Sequence, residues 1–406
     1  MATTASERPL RRAEWRLLAV LGLPTFAFAL ATTVATTYLP VLAATFAPSA
    51  TTIGLLIATE GIVALLLAVP VGALSDRARH RRVFVLGATP VLVLALAAMG
   101  FSGSLWVALL CVTVFFLAYY VGYEPYRALY PDLVDEDVAG RAQSTQALWR
   151  GIGTLAAIGA GGILFKAAQW LPFVAGAAVA ALSVVVFGLL LDRVKGRNRR
   201  RQASGGEDLR GRLRELLRGR GDIRAFLVAN ALWELALGAL KTFMVLYLTK
   251  GLGIDIGLGA AAIAAAAVFI AIASPVSGKL ADRFGARRVM QVSLLVYGAG
   301  LLVPLFVTSK AVIAGIAPLI AFGGGVVMTL PYALLIPLMP REEHGLSTGL
   351  YSLSRGVGTA LGPLLAGVAI TVLDGPFAGT QGYQAMWGVC ALAILASVPV
   401  LARVRD

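Results

Sequence analysis

The stretches "VGALSDRARHRR" (residues 71–82) and "SGKLADRFGARR" (277–288) decide the fold, because they are two copies of one pattern that lie 206 residues apart. In each copy an apolar run ends in a cluster of basic residues, with a single aspartate at the boundary. The matching residues are Gly72, Leu74, Asp76, Arg77, Arg81 and Arg82 in the first copy and Gly278, Leu280, Asp282, Arg283, Arg287 and Arg288 in the second. A pattern that recurs half a chain later predicts an internal duplication.

The composition is that of a membrane protein. The 406 residues are 58% hydrophobic and only 14% charged, and their mean hydropathy is +0.82. Soluble domains carry about 25% charged residues. Apolar runs long enough to cross a bilayer recur along the whole chain, and the short alternating segments of a β-barrel are absent from the sequence. We therefore predict an all-α polytopic membrane protein with twelve spans, at 16–43, 51–74, 83–101, 104–130, 144–167, 170–191, 223–249, 256–280, 288–308, 311–339, 346–373 and 383–403.

Two more matches support the duplication. In the fourth and tenth spans "EPYRALYPDL" (124–133) corresponds to "LPYALLIPLM" (330–339), and in the fifth and eleventh "WRGIGT" (149–154) corresponds to "SRGVGT" (354–359). The copies are separated by an even number of crossings and so have the same orientation, as in the parallel repeats of some secondary transporters. We predict two six-helix bundles, 1–191 and 223–406, joined by a basic linker at 192–222.

Basic residues are strongly biased to one set of loops. One set, with both termini and the linker, is rich in arginine, whereas the opposite loops hold only Lys166, Lys250 and Lys310. The positive-inside rule then places both termini in the cytoplasm, in a multi-pass protein of the cell (inner) membrane. The net charge of +14 lies in these short loops rather than on a folded basic face, which argues against a nucleic-acid partner. We expect a monomer, with membrane lipid as a partner and anionic lipid at the basic loops.

Ionisable residues inside spans are candidates for function, because burying a charge at membrane depth is costly. Glu60 lies near the middle of the second span, and Glu234 and Lys241 share a face of the seventh. A glutamate there can carry a proton or can be a structural partner. Arg150 and Arg355 are repeat mates. The further candidates for proton coupling or substrate contact are Asn230, Trp233, Thr33, Thr36, Thr37 and Tyr123.

The threonines can instead bond back to their own helix, and the aromatic stripe around Tyr123 can be packing. Glu124 and Arg127, three residues apart on one helix, are predicted to form a structural or gating pair. The spacing of the two cysteines and two histidines indicates neither a disulfide framework nor a metal site. There is no phosphate-binding loop and no hydrolytic constellation, so we expect no enzyme and no cofactor. An ion gradient, of protons by preference, is the expected energy source.

The repeated Gly-x-x-x-Asp-Arg-x-Gly-x-Arg-Arg loop resembles that of the major facilitator superfamily, and the resemblance covers essentially the whole chain. The second copy is complete, with Gly285, whereas the first has Arg79 at the glycine position. The resemblance implies a fold of two six-helix bundles and a secondary transporter with alternating access.

The resemblance also implies that Asp76 latches the two halves by contacting the N-terminus of the eleventh helix, and that Asp282 mirrors it at the fifth. The acids of "PDLVDED" (131–137), especially Glu136, are candidates to neutralise Arg77, Arg81 or Arg141. The alternative is that this cluster of charged residues at the helix end only fixes the orientation of the chain in the membrane. The predicted latch comprises Gly72, Asp76, Arg77, Arg81, Arg82, Glu124, Arg127, Glu136, Arg141, Gly278, Asp282, Arg283, Arg287 and Arg288.

Three functions compete. "YEPYRALYPDLVDEDVAGRA" (123–142) is similar to the corresponding region of glycoside and sucrose-type cation symporters, which favours sugar or glycoside symport. A drug–proton antiporter is the alternative, although the fifth span has Ala157-Ile158 where the antiporter family carries Gly-Pro; that pair occurs instead at Gly362-Pro363. The third function is a membrane sensor or scaffold that transports nothing. The sequence does not identify the substrate.

Overall fold

The protein is described by a computed structural model covering residues 11–78, 80–134, 138–193, 220–338 and 344–404. The described residues are helical and contain no β-strand, which confirms the predicted all-α membrane fold. The helices are α1 (Arg12–Ala43), α2 (Ala50–Arg77), α3 (Arg82–Met99), α4 (Leu105–Leu133), α5 (Ala139–Ala167), α6 (Leu171–Leu191), α7 (Gly221–Leu246), α8 (Ile256–Phe284), α9 (Ala286–Phe306), α10 (Lys310–Thr329), α11 (His344–Val372) and α12 (Ala385–Leu401).

Eleven of these helices have the length and hydropathy of a membrane span, and α12 is apolar but has only 17 residues. The predicted tenth span is interrupted, because α10 ends at Thr329 and a short helix, Pro331–Leu335, follows it. The proline ring lacks a backbone N–H, so Pro331 starts a new helix more readily than it continues one. Most of the predicted linker, residues 194–219, lies outside the described residues, and the exact bundle boundaries stay a prediction.

Each half is a bundle with corresponding contacts. In the first half α1 packs on α5 and α6, and in the second α7 packs on α11 and α12. A side chain on Gly153 of α5 would overlap the carbonyl oxygen of Phe26, 2.6 Å away; one on Gly358 of α11 would overlap that of Ala231 at 2.4 Å. These glycines let the helices approach closely, and they occupy matching positions 205 residues apart.

The two halves meet mainly through α2 against α11 and α5 against α8. The contacts lie toward one face of the bundle, which we call the lysine face; it carries the loops after α1, α5, α7 and α11. There Thr51 bonds to Thr371, the two hydroxyl oxygens being 3.0 Å apart, and Lys166 pairs with Asp255 across the halves at 3.0 Å. The Lys250 ammonium donates to the carbonyl oxygen of Ala44 at 3.0 Å.

The other face, which we call the arginine face, carries the loops after α2 and α8. Gly72 and Gly278 sit near these ends of α2 and α8, and a Cβ atom added to either glycine would meet no other atom within 4 Å. Among the residues that the structure describes, the hydrogen bonds and ion pairs seen between the halves lie at the lysine face or at the centre of the spans.

Candidate functional site

An ion pair joins the two halves in the middle of the spans. The Glu60 carboxylate of α2 and the Lys241 ammonium of α7 are 3.5 Å apart. The Glu60 side chain is only 8% exposed, whereas that of Lys241 is 40% exposed. A lysine at this depth that contacts a carboxylate of the other half faces the space between the halves rather than lipid. That space therefore admits water to the centre of the protein.

A second pair lies within the second half. The Glu234 carboxylate of α7 and the Arg355 guanidinium of α11 are 3.7 Å apart. Glu234 and Lys241 share a face of α7, as predicted, but each pairs with a charge on a different helix. Glu60 and Lys241 both lie close enough to Glu234 to interact with it electrostatically. Protonation of one carboxyl group therefore changes the charge that the other experiences.

The third pair, Glu124 with Arg127, lies on α4 with 3.7 Å between the charged groups, as the three-residue spacing predicts. The Arg127 guanidinium sits 5.8 Å from the ring centroid of Tyr123, a cation–π distance. Arg150 and Arg355 also lie within electrostatic range of Tyr123. Tyr123 therefore stands among cations from α4, α5 and α11, and its ring stacks on that of Tyr119 at 4.8 Å.

Other predicted site residues serve packing in this structure. Trp233 is buried and donates its indole N–H to the Ser397 hydroxyl of α12 at 2.8 Å. The Asn230 amide donates to the Ser354 hydroxyl at 2.8 Å. Both hydrogen bonds connect α7 with neighbouring helices of its own half.

The predicted hydroxyl groups of α1 are also buried. The Thr36 hydroxyl donates to the carbonyl oxygen of Thr32 within the helix at 2.8 Å. The Thr33 hydroxyl lies 3.5 Å from that of Thr154 on α5, and Thr37 is buried as well. These contacts are local bonds of α1 and its contact with α5.

The arginines after α2 hold their loop to the first half. Arg81 bonds to the Asp132 carboxylate of α4 at 2.8 Å and to the Ser75 hydroxyl at 2.8 Å, and Arg82 pairs with Asp192 at the end of α6. Asp132 is one of the acids of residues 131–137 among which the sequence predicts a partner for Arg81. Glu136, the predicted neutralising acid, lies outside the described residues. Asp76 occupies the last turn of α2.

The second copy makes different contacts. Arg287 donates to the carbonyl oxygen of Ala402 beyond α12 at 2.8 Å, and Arg283 stacks over the Phe284 ring at 5.1 Å. Asp282 and Arg288 are exposed. In the first half Arg77 is exposed and Arg141 is half-buried. The contact of either aspartate with a partner helix stays a prediction for the state that closes the arginine face.

Sequence reasoning missed the contacts that close the lysine face. Its only signal was that Lys166 and Lys250 are rare cations in the opposite loops. The hydrogen bond from Lys166 holds the pKa of the Asp255 carboxyl below its ordinary value. Asp255 also caps α8 by accepting from the backbone N–H of Gly257 at 3.0 Å.

Comparison with known proteins identifies relatives along the whole chain. The family model described as Major Facilitator Superfamily matches residues 21–262 and 226–406. Solute carrier family 67 member A1 of Homo sapiens is 29% identical over 157 residues, which are 38% of this chain and 37% of that protein. Multidrug resistance protein 3 of Bacillus subtilis is 24% identical over 101 residues, 25% of this chain and 20% of that protein. The matched stretches thus span well under half of these curated relatives.

Solved structures match over nearly the full length. A bacterial homolog of the human lysosomal transporter Spinster, in an inward-facing and occupied conformation, has a TM-score of 0.75 and 16% identity, covering 97% of this chain and 96% of that one. The nucleoside transporter NupG has a TM-score of 0.76 and 14% identity, covering 97% of this chain and 99% of that one. At these identities the likeness concerns the fold.

Proposed function

Because the chain belongs to the major facilitator superfamily and is a membrane transporter of that type, we propose that it moves a small organic solute by alternating access, coupled to protons at Glu60 and Glu234. The observation that carries this proposal is the Glu60–Lys241 pair, which bridges the two halves at the centre of the spans. Because this contact between the two halves depends on the Glu60 carboxylate, protonation of Glu60 would directly affect the relative position of the halves.

The proposed coupling works through the strength of this pair. When Glu60 is ionised, its attraction for Lys241 holds α2 against α7. When Glu60 takes up a proton, the attraction falls and the halves separate more easily. The pair of Glu234 with Arg355 lies within the second half, so Glu234 acts on the bridge indirectly, through the charge that it presents to Lys241 and Glu60. A ligand moves the equilibrium only by binding the two states with different affinity.

We assign the described conformation to the inward-open state of the cycle. The halves are in contact at the lysine face, and the positive-inside rule places the arginine face in the cytoplasm. With this orientation both termini are cytoplasmic and the protein resides in the cell (inner) membrane. The predicted latch of Asp76 and Asp282 then belongs to the outward-open state.

Sugar or glycoside symport remains our first proposal for the substrate class, on the resemblance of residues 123–142. The rings of Tyr119 and Tyr123 are buried against each other and against Phe28, so they lend this proposal no direct support. The buried hydroxyls of Thr33, Thr36 and Thr37 lend this proposal no support. Drug–proton antiport is the second candidate, favoured by the partial match to the Bacillus subtilis multidrug resistance protein.

The test begins with a ligand-stabilisation screen of the purified protein, using sugars, drugs, amino acids and lipids. Uptake of the best ligand is then measured in proteoliposomes, once as counterflow without a pH gradient and once as accumulation driven by an imposed pH gradient. We expect Glu60→Gln and Glu234→Gln to keep counterflow and to lose most of the gradient-driven accumulation. Accumulation that survives in the double variant would refute the assignment of the proton sites.

A further inference from the structure

We propose that the transported solute carries an anionic group, a carboxylate or a phosphate, and that Arg150 binds this group in the space between the halves. The inference rests on the proposed transport function and specifies its substrate. It follows from one position at which the two duplicated halves differ in charge.

The contacts of two glycines establish which residues are equivalent. A Cβ atom on Gly153 would meet the Phe26 carbonyl oxygen, the Ala29 Cβ and the Leu30 nitrogen. A Cβ atom on Gly358 would meet the same three atoms of the residues 205 positions further on, Ala231, Glu234 and Leu235. The crossing of α1 with α5 therefore has the same register as the crossing of α7 with α11. Glu234 is the structural counterpart of Ala29.

The arginines at this crossing are counterparts too, since Arg150 and Arg355 are also 205 residues apart. In the second half the position equivalent to Ala29 carries Glu234, which neutralises Arg355 at 3.7 Å. In the first half the equivalent residue, Ala29, is uncharged and cannot neutralise an arginine. Among the ion pairs of the described residues Arg150 has no carboxylate, and its side chain is exposed. The duplication thus leaves one arginine with a built-in counter-ion and the other without.

The surroundings of Arg150 are also short of negative charge. Arg150 and Arg127 both lie within electrostatic range of Tyr123. Glu124, the carboxylate of this region, is paired with Arg127. The central cluster of described residues has one more cation than carboxylates; its cations are Arg127, Arg150, Lys241 and Arg355, and its carboxylates are Glu60, Glu124 and Glu234. A cation without a counter-ion at membrane depth is costly, and an anionic ligand removes that cost.

The shape of the region indicates what else the ligand carries. Tyr123 and Tyr119 stack with 4.8 Å between ring centroids, and Phe28 meets Tyr123 edge-on at 5.6 Å. An arginine fork binds a carboxylate or phosphate through paired N–H donors, while such rings contact a flat or ring-shaped body. The ligand we expect is a ring-bearing organic anion. An acidic glycoside satisfies this expectation and the sugar proposal together, and a neutral sugar satisfies only the latter.

Equilibrium binding to the purified full-length protein in detergent tests the inference, with pairs of probes that share a ring and differ in whether they carry an anionic group. The pairs are D-glucuronate against D-glucose, benzoate against benzyl alcohol, and phenyl phosphate against phenol, at fixed ionic strength. Binding is followed by titration calorimetry and by the shift in Tm. We expect at least one anion to bind the wild type about 10- to 100-fold more tightly than its neutral partner, which is the range for hydrogen bonds to charged groups.

The variants test the difference between Ala29 in the first half and Glu234 at the equivalent position of the second. Ala29→Glu supplies the counter-ion that Glu234 provides in the other half, and it should abolish the preference for the anion; Ala29→Gln, of equal size and no charge, should keep it. Arg150→Gln should abolish the preference and Arg150→Lys should retain most of it. Arg224→Gln removes an exposed arginine in the first turn of α7 and should have no effect.

A wild type that binds charged and neutral probes equally, or binds none of the anions, would overturn the inference. An Arg150→Gln variant that still prefers the anionic probe would also overturn the inference. This result is decisive even if the Ala29→Glu variant does not fold. These binding measurements are independent of the pH-gradient assay. Loss of proton coupling with anion binding intact would refute the proposed proton sites alone, and the converse result would refute the anion site alone.

Discussion

A methyl group at Gly54 should open the lysine face. Gly54 lies in the first turns of α2, and a Cβ atom there would stand 2.2 Å from the Pro363 carbonyl oxygen and 2.9 Å from its carbonyl carbon. Ordinary contact begins at 3.4 Å, so α2 and α11 would have to separate by about 1 Å. The obstructing atoms are backbone, and no side-chain rotation relieves the overlap.

The expected magnitude follows from this geometry. Inserting a methyl group into a well-packed contact costs about 1–3 kcal/mol. In the alternate state α2 and α11 are apart at the lysine face, so the cost falls on the described conformation only. The equilibrium should therefore shift toward the alternate state by about 5- to 150-fold. Gly87→Ala is the control, because Gly87 is an exposed residue of α3, which packs on α4 and α6 of its own half, and no atom lies within 4 Å of the added group.

A buried thiol at Ala58 reports the opening. Ala58 is 2% exposed and shares a helix face with Gly54. In a background with Cys111→Ser and Cys390→Ala, the Ala58→Cys thiol is exposed to a membrane-impermeant reagent applied from the lysine face. The rate of this reaction is proportional to the fraction of molecules in the alternate state. It should therefore rise in Gly54→Ala by the same factor as the equilibrium, about 5- to 150-fold, as long as that fraction stays small. Equal rates in Gly54→Ala and Gly87→Ala would refute this account of how the halves are held together.

Three other predictions concern the latch, the lysine face and the fold. Asp76→Asn should slow transport in proteoliposomes while ligand binding persists, and unchanged turnover would favour a purely topological role. Lys166 lowers the pKa of the Asp255 carboxyl, so the contact between these residues should be lost only as the pH falls through that lowered pKa. Access of the reagent to the Ala58→Cys thiol should then rise in acid. Asp255→Asn should remove this pH dependence. Trp233→Phe should destabilise the protein by about 1 kcal/mol, measured as a lower Tm, because the Ser397 hydroxyl loses its donor; an unchanged Tm would count against that hydrogen bond.

The sequence was sufficient for the helices because each span is a long apolar run, and membrane length leaves little freedom. It was sufficient for the duplication because Gly72 and Asp76 recur as Gly278 and Asp282 in identical register. It failed where a local backbone feature overrides hydropathy. The run at 311–339 is uniformly apolar, yet Pro331 divides it, because hydropathy does not register the missing N–H.

The ion pairs show a different limit. The pair of Glu124 with Arg127 could be predicted, because both residues lie on one helix and spacing fixes their distance. The pairing of Glu60 with Lys241 could not, since it depends on how closely the two halves approach. For the same reason Asp255 was not recognised as the partner of Lys166, because that pair joins the two halves. A partner of Arg81 was expected among the acids of residues 131–137, but the sequence favoured Glu136 over Asp132.

The duplication explains how one cavity can hold both the proposed proton site and the proposed anion site. Two identical halves would present two equivalent arginines with the same partners, and a ligand would have no reason to prefer one. Glu234 removes this equivalence, because it gives Arg355 a titratable counter-ion where Ala29 gives Arg150 none. In the proposed mechanism the second half binds the proton and the first half binds the ligand anion. Tyr123 lies within electrostatic range of both arginines, which places the two proposed sites close together. Protonation of Glu234 would leave Arg355 without its counter-ion and raise the attraction of the cavity for an anion, as the proposed symport of an anion with protons requires.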